Sequence, residues 1–231
     1  MLITNRAKIM RFLSISIAIV LLLSIPLCVN AQKRIEDYEG YGDLTPEQQE
    51  QVKTNIQNKM YSLQVKSIAG VEFGSSREKV EKMMTKKYGS PMFASSQNDL
   101  IFENIKYAGY DFDSVHFLFQ SDGVNIYLNC CIFVIEARDY SEALDKESKL
   151  ADILKTKYED LQSGVDHNGN PMHSGGISPL WNGDINNLAD HVGALHTSIL
   201  KYDEEKAKIA GRKPYAVRLI YGPYNYVNEE F

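Results

Sequence analysis

The sequence predicts an α+β fold, an antiparallel sheet with helices packed on one face, and three observations carry that expectation. Ser75 through Pro91 holds a capped amphipathic helix: Ser75 and Glu78 stand in capping-box relation, Val80, Met83, Met84 and Tyr88 recur at three-to-four-residue spacing, and Gly89 and Pro91 close it. Residues 100–135 contain runs rich in aromatic and β-branched residues, separated by turn signals. A second amphipathic stretch, 141–161, is again followed by strand-like runs, so the order is helix, strands, helix, strands.

The first 31 residues read as an export signal. Arg6, Lys8 and Arg11 precede an apolar run from Phe12 to Leu27, and Val29 and Ala31 occupy the small-residue positions read by signal peptidase. The expected mature start is Gln32, in the periplasm or outside the cell. The apolar run is shorter than the ~20 residues of a spanning helix, so no integral span is expected after cleavage. Leu27 is bulky where lipoprotein processing requires a small residue, which argues against a lipid anchor on Cys28. Removing a leader with three basic and no acidic residues takes the formal charge from −5 to −8. Such a surface repels phosphate backbones, and nucleic acid is excluded as a partner class. Only Cys130 and Cys131 then remain, and adjacent strand residues point to opposite faces, so this is no disulfide scaffold.

Residues 32–62 read as a flexible lead-in followed by an amphipathic helix. Thr45, Pro46 and Gln48 supply its cap, first-turn proline and capping-box glutamine, and Val52, Ile56 and Met60 form its apolar stripe. The α+β domain is expected over 63–231, opening with a strand-like Leu63–Val71. Leu100–Tyr107, Ser114–Phe119 and Val124–Ile135 are the next strands, with turns at Ala108-Gly109 and Asp122-Gly123. A two-residue turn at Asp122-Gly123 sets Phe119 against Ile126, Phe117 against Leu128 and Val115 against Cys130. In that register Cys130 is buried against the helices, while Cys131 shares the other face with His116.

The helix at 141–161 presents Leu150, Leu154, Tyr158 and Leu161. It echoes the first helix, with Val80, Met84 and Tyr88 answering Leu150, Leu154 and Tyr158, and Ser114–Phe119 resembles Ala216–Tyr221. The two units would be 63–136 and 137–231, the second carrying a long loop at 163–193. His196–Tyr202 and Tyr215–Tyr221 complete the strands.

Gly74, Ser76, Glu78, Val80, Gly89 and Pro91 give a pattern of glycine, Ser-led short helix, inner valine and closing Gly-x-Pro. It resembles the helical opening of the family that includes the β-lactamase inhibitor protein and the outer-membrane assembly lipoprotein BamE. The resemblance covers about 20 residues. It implies helices packed on an antiparallel sheet and action by protein binding rather than catalysis, and it carries no functional residue across.

Candidate chemistry is sparse. His167, His173, His191 and His196 lie in or beside the long loop with Asp166, Asp184 and Asp190, but no pair has the i, i+4 spacing of a zinc helix, so solvated loop histidines are the simpler reading and no metal site is assigned. Asp166, Asn168 and Asn170 imitate the start of a calcium loop. Pro171 and Ile177 then stand where glycine and glutamate are required, which leaves consecutive turns. A Cys131–His116 nucleophile lacks an orienting group. There is no G-x-S-x-G elbow, no Walker A and no dinucleotide fingerprint, so no catalytic residue and no cofactor is assigned. Trp181, Tyr224 and Tyr226 are the candidate binding residues, as aromatics that give contact area at little entropic cost. The expected function is an exported, non-enzymatic protein that binds another envelope or extracellular protein through its sheet face or the Trp181 loop. A glycan-binding accessory protein is the alternative, followed by a hydrolase using the Cys–His pair or a loop-held metal.

Overall fold

A computed structural model describes residues 35–37, 40–92 and 95–226. The stretch expected to be an export signal, with its expected cleavage site and Cys28, lies outside the described residues. The chain divides into two compact units, one drawn from Met1–Leu63 and Trp181–Val192, the other from Gln64–Leu180 and Gly193–Phe231.

The first unit is built on helix α1, Pro46–Ser62. Thr45 caps it as expected: its hydroxyl accepts from Gln48 N, and the Gln48 side-chain oxygen accepts from Thr45 N at 2.9 Å. Val52 and Ile56 pack with Ile35, Tyr41, Leu44 and Ile185. The lead-in is therefore not free where it is described: Ile35 and Tyr41 are buried, and Gln49 Nε2 donates to the Tyr41 and Leu44 carbonyls.

The second unit is the α+β domain. Its elements are a small hairpin, β1 (Ser67–Ile68) and β2 (Val71–Glu72), helix α2 (Arg77–Tyr88), strands β3 (Asp99–Tyr107), β4 (Tyr110–Ser121) and β5 (Ile126–Ala137), helix α3 (Tyr140–Lys157), strands β6 (Gln162–Val165), β7 (Pro171–Ile177) and β8 (Val192–Lys201), helix α4 (Glu204–Ile209), and strand β9 (Tyr215–Tyr221). Seven strands form one antiparallel sheet in the order β3-β4-β5-β9-β8-β7-β6. The last strand of each run meets at the centre, with Phe133 opposite Leu219 and Ile135 opposite Val217.

Both α2 and α3 lie on one face of this sheet. Val80 and Met84 of α2 and Leu150 and Leu154 of α3 share an interior with Phe117, Phe133, Leu219 and Tyr221, all nearly inaccessible to solvent. Each such side chain contributes about 1.5–3 kcal/mol by leaving water, so this shared interior fixes the fold. Tyr88 and Tyr158, the matching last residues of the two apolar faces, both pack against it.

Several local expectations are corrected. The cap of α2 is Ser76, not Ser75: its backbone is extended and its hydroxyl accepts from Lys79 N, while Ser75 N donates to Glu72 O and its carbonyl accepts from Leu128 N, which ties Ser75 to the turn before the helix and to β5. Leu63–Val71 is not one strand. The chain reverses at Ala69-Gly70, both at positive φ, and Phe73 N donates to Lys66 O across the hairpin. Helix α3 ends at Lys157, so Leu161 packs from beyond the helix. The stretch 163–193 is not a single loop: β6 and β7 form a hairpin whose turn is closed by the Asp166 carboxylate, which accepts from Asn168 N and Asn170 N. Trp181–Val192 belongs with α1. Finally, β9 is the last strand of its run whereas β4 is the middle one, so the topological counterpart of β9 is β5, and the echo of Ser114–Phe119 in Ala216–Tyr221 does not follow the fold.

The β4–β5 register also differs from the expected one. The turn is four residues, Asp122 to Asn125, with the Asp122 carboxylate accepting from Val124 N at 2.8 Å and Asn125 N at 2.7 Å. Four residues keep the parity of a two-residue turn. A bulge then reverses it: Phe119 pairs with Leu128 and Leu118 with Cys130, leaving Asn129 as an extra residue. Beyond that point Phe117 faces Cys131 and His116 faces Ile132. Cys131 is thus the thiol buried under the helices, and Cys130 lies on the other face.

Candidate functional site

The alternation of each strand puts one set of side chains into the helix-covered core and the other on the outer face. Because the strands are in register, the outer residues align across the sheet. One transverse row runs Ile101, His116, Ile132, Ile220, His196 over β3, β4, β5, β9 and β8. Its neighbour runs Glu103, Ser114, Val134, Arg218, Ser198. Leu118 and Cys130 extend the apolar part toward the hairpin tip. Ile101, Leu118, Cys130, Ile132, Val134 and Ile220 belong to neither apolar core. His116, Leu118, Ile132, Arg218 and His196 are half-buried, whereas Ile101, Cys130, Val134 and Ile220 are only 5–8% exposed, so solvent reaches this face at the first set.

Polar side chains on this face are anchored rather than loose. His116 Nδ1 lies 3.2 Å from Asp99 Oδ2, and Arg218 Nε donates to Ser198 Oγ at 3.0 Å. Burial, and next the Arg218 charge, hold the His196 imidazole below its ordinary value. Burial pushes the Cys130 thiol up to about 12 despite the nearby Arg218 guanidinium, and drives Cys131 well above the ordinary thiol range. Neither is a thiolate at neutral pH. The Cys131–His116 pairing is overturned outright, since the bulge places the two on opposite faces of the sheet.

A second feature is a groove of about 810 Å³ between the start of α2, the turn before β3, the β4–β5 hairpin tip and the C-terminal segment. Ser76, Arg77, Glu78, Gln97, Asp122 and Asn125 give it polar walls, and Tyr127 and Tyr226 an aromatic one. Tyr226 is positioned from three sides. Its carbonyl accepts from Tyr127 OH at 3.1 Å, its ring meets the Tyr127 ring edge-on at 5.3 Å, and it covers Gly74, where a β-carbon would press on the ring.

Of the three aromatics expected to bind, only Tyr226 lines an accessible site. Trp181 is 3% exposed, its ring 5.0 Å from Tyr61 and its indole N–H donating to Asp184 O at 2.9 Å. Tyr224 is equally buried, edge-on to Phe73, with its hydroxyl donating to Ala194 O at 2.6 Å. Both are packing residues. The histidines do not converge: His167 lies in the β6–β7 turn, His191 in the first unit, His196 on the outer face, and His173 in a buried network. Among the described residues no three His, Cys, Asp or Glu side chains are grouped as metal ligands.

That network was not anticipated. Glu147, on the buried side of α3, accepts from the Thr197 hydroxyl at 2.6 Å and lies 2.8 Å from His173 Nδ1, while Thr197 Oγ1 accepts from His173 N. Its one sequence signal is an acidic residue seven positions before Leu154 on the apolar side of α3. The outer row was equally hidden, since it follows from a register that the bulge determines. Among the described residues no helix is long and apolar enough to cross a membrane. No protein-family model, no curated protein and no solved structure matches the chain.

Proposed function

We propose that this chain is an exported, non-enzymatic protein that works by binding another envelope or extracellular protein through the outer face of its sheet. The observation that carries this reading is the outer-face set Leu118, Ile132, His116 and His196, all half-buried, which lies beside the buried Ile101 and Ile220 and belongs to neither apolar cluster. A partly solvated apolar patch with a polar rim is the composition of a protein-binding surface. Anchoring of Arg218 by Ser198 and of His116 by Asp99 lowers the entropy a partner must remove on docking. The leader pattern at residues 1–31 supports a role outside the cytoplasm. Trp181 is less suited to display than the sheet, because its ring is enclosed.

The test uses a photo-crosslinking amino acid at Ile132, and at the exposed Lys155 of α3 as a control, in cells exporting the full chain. A discrete adduct from position 132, absent from position 155 and abolished by Leu118→Glu at the half-buried part of the same face, with the fold retained by circular dichroism, is the expected result. Equal labelling from both positions, or none from 132, would refute the reading.

A further inference from the structure

The groove beside Tyr226 is a second site, separate from the sheet face. We infer that it binds a neutral saccharide. Its volume, about 810 Å³, falls in the ~300–1,000 Å³ range of small-ligand sites. Donors and acceptors alternate around it: the amides of Gln97 and Asn125 offer both, and Glu78 and Asp122 accept. A hydroxyl-rich ligand suits such a mixed lining, because each hydroxyl both donates and accepts.

Charge narrows the class further. Arg77 is the one cation in the lining, and its guanidinium is already paired with Glu81 at 2.6 Å and donates to Ser96 O. The carboxylates of Glu78 and Asp122 therefore set the sign of the groove, which disfavours phosphates, uronates and nucleic acid. Apolar contact comes from the Tyr226 ring and from Val124, which is 72% exposed at the hairpin tip. An aromatic ring beside hydrogen-bonding groups matches a pyranose, whose faces are C–H and whose rim is hydroxyl.

Glu78 and Gln97 are the discriminating residues. Both are exposed, and neither side chain makes a hydrogen bond or ion pair among the described residues, so they are free to meet a ligand and their loss leaves the fold intact.

The experiment is saturation-transfer NMR on the full exported chain with four probes: chitotriose and cellotriose as neutral saccharides, trigalacturonate as an anion and trilysine as a cation. Transfer to a neutral probe is expected, weakened about fivefold in each of Gln97→Ala and Glu78→Gln by loss of one hydrogen bond, with unchanged melting temperatures. Leu118→Glu on the sheet face leaves this signal unaltered, which separates the two sites. Absence of transfer to both neutral probes, a stronger response to trigalacturonate or trilysine, or binding indifferent to Gln97→Ala and Glu78→Gln would overturn the assignment.

Discussion

The Glu147 carboxylate and the His173 imidazole meet at 2.8 Å between α3 and the sheet, with Glu147 2% exposed and the Thr197 hydroxyl donating to the same oxygen. Removing one partner of such a group strands the others in a medium that cannot hydrate them. Glu147→Ala is expected to destabilise the domain by about 3–5 kcal/mol, seen as a fall in denaturant midpoint at constant slope. Thr197→Val removes one donor and keeps the volume, and costs about 1–2 kcal/mol. Equal effects from the two would show that packing, not the polar network, dominates there.

The register at the bulge makes the two cysteines unequal. Cys131 sits with Phe117 in the core, so Cys131→Ser places a hydroxyl among apolar side chains and costs about 1–3 kcal/mol. Cys130→Ser, at a buried position on the outer face beside the Arg218 guanidinium, is expected to cost less than Cys131→Ser. With its value raised to about 12, the Cys130 thiolate fraction at neutral pH is on the order of one part in 10⁵, so a thiol reagent labels the folded chain far more slowly than the unfolded one. The comparison of urea midpoints decides the register independently of the labelling.

How far the sequence reaches is visible in these same places. The capping box of α1, the apolar faces of α2 and α3 and the closing Gly89 are local patterns within one or two turns of helix, and each is seen in the structure. The bulge at Asn129 has no local signature. Asn129 is held by distant partners, its carbonyl accepting from Tyr224 N and its side-chain amide donating to Gln120. One unpaired residue therefore exchanged the faces of every β5 side chain beyond it, while His116 and Leu118 of β4 kept theirs. Tyr224 and Trp181 looked like display residues because an aromatic in a loop carries no sign of which chain segment covers it. The groove draws on residues 74–78, 97, 122–127 and 226, separations that no periodic pattern spans.

Gly222 illustrates the same tertiary constraint. It adopts φ +91, and a β-carbon there would fall on the Asn129 carbonyl oxygen, the atom that also accepts from Tyr224 N at 2.9 Å. Gly222→Ala is strained by backbone conformation and by this overlap with backbone atoms that cannot rotate away. A loss of about 2 kcal/mol or more is expected, by thermal unfolding. Gly109→Ala, with similar φ of +83 and open space around it, serves as the control, and the excess of the first over the second measures the overlap.

At the start of α3, Arg138 donates from Nε and from its backbone N to Glu142 Oε2, and Lys146 lies 2.9 Å from the other oxygen. The Arg138 side-chain hydrogen bond, followed by its backbone hydrogen bond, pulls the Glu142 carboxyl from 4.5 down to about 2. A depressed carboxyl stabilises the fold above its unfolded value, and that contribution is lost as pH falls from 4.5 to about 2. Glu142→Gln is expected to flatten the pH dependence of the urea midpoint within that window and to leave it unchanged elsewhere. A parallel curve for the variant would show that other carboxyls carry the acid transition.

The alkaline limb belongs to tyrosines. Tyr158 OH and Tyr221 OH lie 3.5 Å apart inside the core, and Tyr107 is stacked on Phe133 at 4.7 Å. Burial raises all three above the ordinary value of 10, Tyr221 furthest because it is the most deeply buried and, next, because a phenolate there would face Tyr158. Below pH 10 both folded and unfolded chains keep these protons, so the groups add no pH dependence. Above it the unfolded chain ionises first, binds fewer protons than the folded one, and stability falls with rising pH. Phenolate absorbance is therefore expected to rise in two phases, a gradual one from solvated rings and a steep one that coincides with loss of far-UV circular dichroism. Tyr158→Phe shifts the steep phase to higher pH, since one fewer buried hydroxyl is left to ionise on unfolding. A single gradual rise with the dichroism intact would show these rings to be open to solvent.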